Sequence, residues 1–318
     1  MLNVPARARN IFGEPLAGPG GCREMPGEPL AGSGGSQNVS GEPAETPGGT
    51  FAGSGGLSAG PLTSLAGSGE SSAGPGEPPA GLPKSSVGSG ERPGEARKPH
   101  PILLSWSGGK DSAFALHTLR SSPDFEPVGL LTTITEDYDR ISIHGVRREL
   151  LERQAESIDL PLHKVLIHKD CTNEIYEERL AAALRGIKSQ GIHHVAFGDL
   201  YLEDIRAYRE KQMAPLGLQP VFPVWGLDTT DLAHDLIRLG FQAVLVCVDT
   251  DILDPVFAGR AYDEDLLRDL PADVDLCGEN GEFHTFVHAG PIFREPIGIK
   301  LGRVEGRGRF WFRDLEEA

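Results

Sequence analysis

Ile102-Leu103-Leu104-Ser105-Trp106-Ser107-Gly108-Gly109-Lys110-Asp111-Ser112 decides the fold: an apolar strand over Ile102–Trp106, a glycine turn, and the start of a helix over Asp111–Arg120. Two glycines let the backbone approach a ligand closely. The free N–H groups of the helix's first turn then face that ligand with the positive end of the helix dipole. An oligophosphate fits such a loop. Lys110 supplies a point charge, Ser107 and Ser112 supply hydroxyl donors, and Asp111 either holds Mg²⁺ or caps the helix. A Walker A loop reads GxxxxGK[ST]; here Asp111 follows Gly109-Lys110 and Leu104 stands five residues before Gly109, so this is a different phosphate loop.

Outward from the loop, strand and helix patterns alternate. Val128–Ile134 is a second apolar run, Val146–Ile158 has helical spacing, and Leu162–Ile167 reads as a third strand. A long helix over Asn173–Ser189 and a fourth strand over His194–Gly198 follow. This is the pattern of an α/β fold with a doubly wound, Rossmann-like parallel sheet, whose ligands sit beyond the carboxyl ends of the strands. The rest is less regular. It predicts a helix near Leu202–Met213, a short strand at Val221–Val224, a helix over Thr230–Leu239 and a buried strand over Ala243–Val248. Ile297–Val304 and Phe310–Phe312 form a closing hairpin through Gly306-Arg307-Gly308, completing a smaller C-terminal α/β subdomain.

The amino-terminal third has another character. Residues 1–100 hold 23 of the 41 Gly and 14 of the 25 Pro, with Phe12 and Phe51 as their only aromatic residues besides His100, in a degenerate GEPLAGPGG-type repeat. A unit offering at most one Leu to a shared core cannot offset about 1–2 kcal/mol per residue of backbone ordering, so disorder is expected. The expected organisation is a disordered region over 1–100, a nucleotide-binding subdomain over 101–198 and a substrate- and ammonia-handling subdomain over 199–318.

From Pro101 onward there are 23 basic and 37 acidic residues. Such a surface repels phosphate backbones and disfavours general nucleic-acid binding. Cys22, Cys171, Cys247 and Cys277 are far apart, which gives no zinc knuckle or disulfide framework. No membrane-spanning run or secretory leader is legible, and a soluble, cytoplasmic protein is expected.

Further stretches narrow the reading: His144-Gly-Val-Arg147-Arg148-Glu149 through Gln154-Ala155; Gly198-Asp199-Leu; Glu203-Asp204-Ile-Arg206 and Arg209; Pro223-Val-Trp225-Gly226; and Cys277-Gly278-Glu279-Asn280-Gly281-Glu282-Phe283-His284-Thr285. The phosphate loop resembles the SGGxDS loop of the ATP pyrophosphatases, the PP-loop branch of the adenine-nucleotide α-hydrolase superfamily. With the other stretches, residues 101–295 resemble the diphthine–ammonia ligase family. That resemblance implies an ATP pyrophosphatase and carbon–nitrogen ligase: ATP, with Mg²⁺, adenylates a substrate carboxylate with release of pyrophosphate, and ammonia or an amine then displaces AMP.

The resemblance also implies roles. Lys110, Asp111, Asp199, Glu279 and Glu282 carry the chemistry. Ser107, Gly108, Gly109, Lys110, Asp111, Ser112, Gly198 and the strand-end hydroxyls of Thr132 and Thr133 hold ATP, and Asp111 and Asp199 hold the metal. His144, Arg147, Glu203, Arg206, Arg209, His284 and Thr285 face the substrate. The residues alone leave alternatives open. Glu279 and Glu282 either bind ammonium and accept its proton, ligate Mg²⁺, or form a solvated acidic turn. Asp199 either contacts ribose, metal or amine, or caps the next helix. Arg206 and Arg209 either present one cationic face to a carboxylate or phosphate, or pair with Glu203 and Asp204. His144 and Arg147 either meet an anionic substrate or are structural. Cys277 reads as a buried thiol.

Arg outnumbers Lys 22 to 8, which suggests a GC-rich, bacterial genome. A bacterial owner keeps the chemistry on an acceptor other than diphthine. The rival enzyme, a tRNA-modifying PP-loop protein, calls for a basic tract or catalytic and zinc cysteines, and neither is found. A nucleotide-binding sensor without turnover does not require Asp111 and both glutamates.

Overall fold

The computed structural model describes residues 98–142 and 144–318; the repeat region, up to residue 97, lies outside the described residues. Among the described residues there are ten strands and six α-helices. The first sheet contains β1 (His100–Ser105), β2 (Phe125–Thr135), β3 (Arg140–Ile141), β4 (Leu162–Ile167), β5 (His194–Ala196) and β6 (Gln219–Val221). Five of these are parallel in the order β4-β2-β1-β5-β6. Connecting them are α1 (Lys110–Arg120), α2 (Arg148–Ile158), α3 (Asn173–Lys188) and α4 (Glu203–Met213). The order places a topological switch between β1 and β5, where the chain turns from one side of β1 to the other.

Period-two alternation explains why both faces are covered. Ile102, Leu104, Leu130 and Ala196 pack with α1, α2 and α5 (Thr229–Arg238). Their neighbours Leu103, Leu131, Val195 and Phe197 pack on the opposite face with α3 and the end of α4. Ile102, Leu103 and Leu104 are fully buried, each contributing about 1.5–3 kcal/mol relative to exposure.

β3 is a short antiparallel addition that the sequence pattern did not predict. It pairs with Ile134 and Thr135, whose other edge is occupied by β4. It therefore lies on the β1 side of β2, beyond the last β1 pair, Ser105 with Leu131. This puts Ile141, Ser142 and His144 over the carboxyl end of β1.

The second sheet is antiparallel, in the order β8-β7-β10-β9, from β7 (Gln242–Asp249), β8 (Phe283–Ala289), β9 (Ile299–Arg307) and β10 (Phe310–Glu317). The short helix α6 (Glu264–Asp269) lies between β7 and β8. Thr172, Asp228 and Asp263 cap α3, α5 and α6 through side-chain acceptors. The closing hairpin is present with longer strands than expected. One expected boundary shifts. The strand expected at Val221–Val224 is β6, ending at Val221 before Pro223, which has no N–H to give. Only the first half of the glycine-flanked acidic stretch is loop: from Phe283 onward, aromatic and β-branched side chains make β8, so His284 and Thr285 sit on a strand. Among the described residues no helix is long and apolar enough to cross a membrane.

Candidate active site

A cavity of about 450 Å³ opens at the carboxyl ends of β1, β2 and β5, roofed by β3 and the start of β8. The phosphate loop forms its floor. Gly108 takes a left-handed conformation, φ +78°, that a side chain would strain, and a Cβ there would stand 2.8 Å from Gln154 Oε1. The loop is held from outside. The Gly108 carbonyl accepts from Gln154 Nε2 at 3.0 Å and from the Val287 amide at 2.9 Å, and Trp106 Nε1 donates to Gln154 Oε1 at 2.9 Å. Thr285 Oγ1 accepts the Lys110 amide at 3.1 Å, so the second sheet fixes both ends of the turn.

Gly109 stands at the N-cap of α1 without a side-chain cap. The amides of Asp111 and Ser112, in the first turn, have no intrahelical carbonyl to bond, and the Asp111 carboxylate turns back on its own amide. Ser107 and Ser112 hydroxyls lie 3.2 Å apart beside them. Lys110 Nζ, 3% exposed, contacts both Asp111 carboxylate oxygens at 2.8 and 2.9 Å and lies 5.7 Å from the Phe283 ring. Burial works against the Lys110 charge, but Asp111, with Cys277 and Glu279 nearby, outweighs it, and the ammonium form is held. Burial likewise pushes the Asp111 carboxyl up against the pull of Lys110. β5 comes close enough to α1 that a Cβ on Gly198 would meet the Asp111 carbonyl at 3.0 Å.

Glu279 faces the cavity from the second sheet's loop, and its Oε1 accepts the Leu200 amide at 2.8 Å. Burial, with the nearby Asp111 charge, pushes its carboxyl from the ordinary value up to about 8. Glu282 turns the other way. It is 3% exposed, takes the amide of Asp275 and the side-chain amide of Asn280, and does not line the cavity. Together with the Asp275 carboxylate, which accepts the Cys277 and Glu279 amides, it shapes the loop that presents Glu279.

His144 and His284 face each other, ring centres 4.6 Å apart, with His144 Nδ1 3.3 Å from the Thr285 carbonyl. Burial lowers His144 to about 4 and His284 well below its ordinary value, so both are neutral at neutral pH. Thr132 and Thr133 line the wall at the end of β2, beside Ser142. Asp199 and Arg209 line the β5 side, 3.5 Å apart.

Three residues expected to face the substrate, and Glu282 from the expected catalytic set, lie elsewhere or turn away. Arg147 binds Asp314 at 2.6 Å and Glu316 at 3.3 Å, joining the start of α2 to β10 outside the cavity. Arg206 stacks over Phe222 and Trp225 and pairs with Glu210, although Arg209, three residues on, reaches the cavity. Glu203 opens α4 without lining the cavity, as does Glu282 within its own loop. Burial pushes the Cys247 and Cys277 thiols up to about 12, and neither is poised as a nucleophile. Sequence reasoning missed Gln154 as the loop's support and Phe310 and Phe312 as cavity walls. Gln154 had one legible signal: a polar residue on the apolar stripe of α2, where it is fully buried.

Among the described residues no three His, Cys, Asp or Glu side chains gather to hold a metal by themselves. Mg²⁺ fits only as phosphate-bound metal completed by one or two carboxylates. Asp111 and Asp199 are on the cavity wall, and Asp199 Oδ2 is buried without a hydrogen-bond donor.

The diphthamide synthase N-terminal domain family matches residues 101–220, and the diphthamide synthase C-terminal domain family matches residues 228–316. The chain is 26% identical to diphthine–ammonia ligase of Danio rerio over 215 residues, covering 61% of this chain and 84% of that one. It is 26% identical to the Homo sapiens enzyme of that name over 220 residues, 62% and 82% of the two chains. For the Schizosaccharomyces pombe enzyme the identity is 29% over 219 residues, 60% of this chain and 34% of that one. A solved structure of a U34-tRNA thiolase from Methanococcus maripaludis aligns with 46% of this chain and 59% of that one, at 16% identity and a TM-score of 0.29. With both family domains matched in succession across the two sheets, the chain belongs to the diphthine–ammonia ligase family, a family of ligase enzymes.

Proposed function

We propose that the protein forms an amide at the expense of ATP: a substrate carboxylate oxygen attacks the α-phosphorus, pyrophosphate leaves, and ammonia or an amine attacks the acyl adenylate and releases AMP. The observation that carries this reading is the meeting, in one cavity, of the uncapped phosphate loop with Glu279, whose proton affinity lies near neutrality. Lys110 and the first amides of α1 bind the β- and γ-phosphates and stabilise the charge of the departing pyrophosphate. Lys110 must leave Asp111 to do so, which frees that carboxylate. Asp111 and Asp199 would hold Mg²⁺, which when bound neutralises phosphate charge.

Glu279 handles the nucleophile. A carboxyl with a pKa near 8 is much closer to an amine than an ordinary glutamate is, so it takes the proton released as the C–N bond forms at lower cost. Thr132 and Thr133, on the cavity wall at the end of β2, would meet the base or sugar of ATP. The acceptor is diphthine or, in a bacterium, another carboxylate, and the cytoplasm is the compartment of action. Residues 101–198 supply nucleotide binding, and residues 199–318 supply the ammonia side and, with walls from the first part, the acceptor side.

The test uses the full chain with ATP, Mg²⁺, ammonium and a small-molecule extract of the source organism, following phosphorus products by NMR. Asp111→Ala is the control. AMP and pyrophosphate that require the extract and vanish in the variant support the proposal. ADP and phosphate, or no cleavage with any fraction of the extract or with a protein fraction, overturn it.

A further inference from the structure

On the β5 side of the cavity, Arg209 is held by a single loose ion pair. Its guanidinium lies 4.9 Å over the Phe197 ring, and its nearest acidic oxygen is Asp199 Oδ2, 3.5 Å from Nε. That separation exceeds a normal N–H···O bond, and both atoms are buried and unsatisfied. The Asp199 charge favours the guanidinium, but its Nε is left without a well-formed hydrogen bond. A guanidinium left this way is expensive unless something else completes it. The side chain of α4 is rigidly placed by the aromatic ring beneath it, with its planar fork available to the cavity.

The walls beyond Arg209 are of the opposite kind. Leu180, Leu184, Val195, Phe197 and Met213 belong to the core between the sheet and α3 and α4, yet they line the same cavity. The space therefore enters the hydrophobic layer on the face opposite α1. The strand order puts this lobe on the β5 side of β1, whereas Thr132 and Thr133 lie on the β2 side, so the lobe and the nucleotide wall flank the phosphate loop.

We infer that this lobe is the acceptor subsite, and that the acceptor is a monocarboxylic acid with an aliphatic or aromatic body: the carboxylate on the Arg209 fork, the apolar body against Leu184, Val195 and Met213. A carboxylate is favoured over a phosphate because one guanidinium matches one negative charge, Asp204 lines the same side, and among the described residues no second basic side chain stands there. A bidentate guanidinium–carboxylate contact also aligns one carboxylate oxygen toward the phosphate loop, as in-line attack requires. This assignment of substrate class rests on the adenylating reading above.

The experiment measures binding calorimetrically on the full chain, with octanoate and phenylacetate as probes and octanol and octylamine as uncharged and cationic controls. ATP binding is measured separately. We expect saturable binding of both acids, at least tenfold weaker binding of the controls, and a tenfold or greater loss of acid binding in Arg209→Gln with ATP binding kept. Leu184→Phe, which fills the lobe without touching the fork, should weaken octanoate tenfold while leaving ATP binding and the melting temperature near those of the parent. Equal binding of acid and alcohol, or unchanged acid binding in Arg209→Gln, overturns the inference. Because acid binding is read without turnover, a chain that binds octanoate through Arg209 but never yields AMP refutes the ligase reading and leaves the subsite standing. AMP formation with an acceptor that Arg209→Gln still binds normally does the reverse.

Discussion

Gln154 Nε2 donates to the carbonyl of Gly108 at 3.0 Å, so a fully buried side chain of α2 fixes the peptide that begins the phosphate loop. The same nitrogen reaches the Val287 carbonyl at 2.6 Å, and Oε1 accepts from Trp106. One amide thus joins β1, the loop and the second sheet. Both sheets need it in place for Lys110 to stand over the cavity floor.

Replacing Gln154 by Leu keeps the volume and removes all three bonds. The Trp106 N–H is then buried without a partner, so we expect a loss of about 2–4 kcal/mol in urea unfolding. In the folded fraction, ATP affinity should fall because the Gly108 carbonyl is no longer oriented. Gly108→Ala attacks the same joint from the other side, through its positive φ and the 2.8 Å approach of a Cβ to Gln154, and should cost at least 1–2 kcal/mol. A Gln154→Leu protein as stable as the parent would show that the loop is held by β8 alone.

The Glu279 carboxyl titrates near 8 against an ordinary 4.5. Because the folded state holds this proton more tightly, its contribution to stability is intact below about pH 4.5 and is lost as pH rises through 8. Glu279→Gln keeps an acceptor for the Leu200 amide but cannot ionise. Its melting temperature should therefore fall less than that of the parent between pH 5 and 8, and above pH 8 the gap between the two curves should stay constant. On the proposed mechanism the parent's amide-forming rate climbs between pH 7 and 9, and the variant's rate is lower and flat in that range. Parallel melting curves would place Glu279 in a more solvated setting than its burial implies.

How far all this was legible follows from where physics acts locally. The strand-loop-helix over Ile102–Arg120 and the alternation to Ala196 were readable because apolar periodicity and glycine placement are local properties, and Leu162–Ile167 is β4 residue for residue. β3 was not readable: two residues, Arg140 and Ile141, are a strand only because the overhanging end of β2 supplies partners. Within the acidic stretch nothing local marks where the loop ends: Phe283 onward is strand because β7 lies beside it. The same limit governs the site. The chemistry of Lys110, Asp111 and Glu279 was visible in residue type and spacing, whereas the different fates of Arg206 and Arg209, or of Glu279 and Glu282, depend on which aromatic ring or amide stands nearby.

Arg147 offers the sharpest separation of structural from functional charge. Asp314 receives Arg140 at 2.7 Å and Arg147 at 2.6 Å, and despite burial these cations hold its carboxyl at about 2. A depressed carboxylate stabilises the fold above its unfolded value near 3.8, and that contribution is lost as pH falls through 2. Asp314→Asn leaves two partly buried guanidinium groups short of a counter-charge, so it should lower stability by about 1–3 kcal/mol at pH 7 and by much less at pH 2. Since the pair lies outside the cavity, KM for ATP and the ratio of AMP to ATP consumed should be unchanged in the folded variant. Arg147→Gln should behave the same way, measured by denaturant unfolding alongside phosphorus NMR. A selective rise in acceptor KM in Arg147→Gln, with stability intact, would instead put this arginine in contact with substrate, as its place in the sequence first suggested.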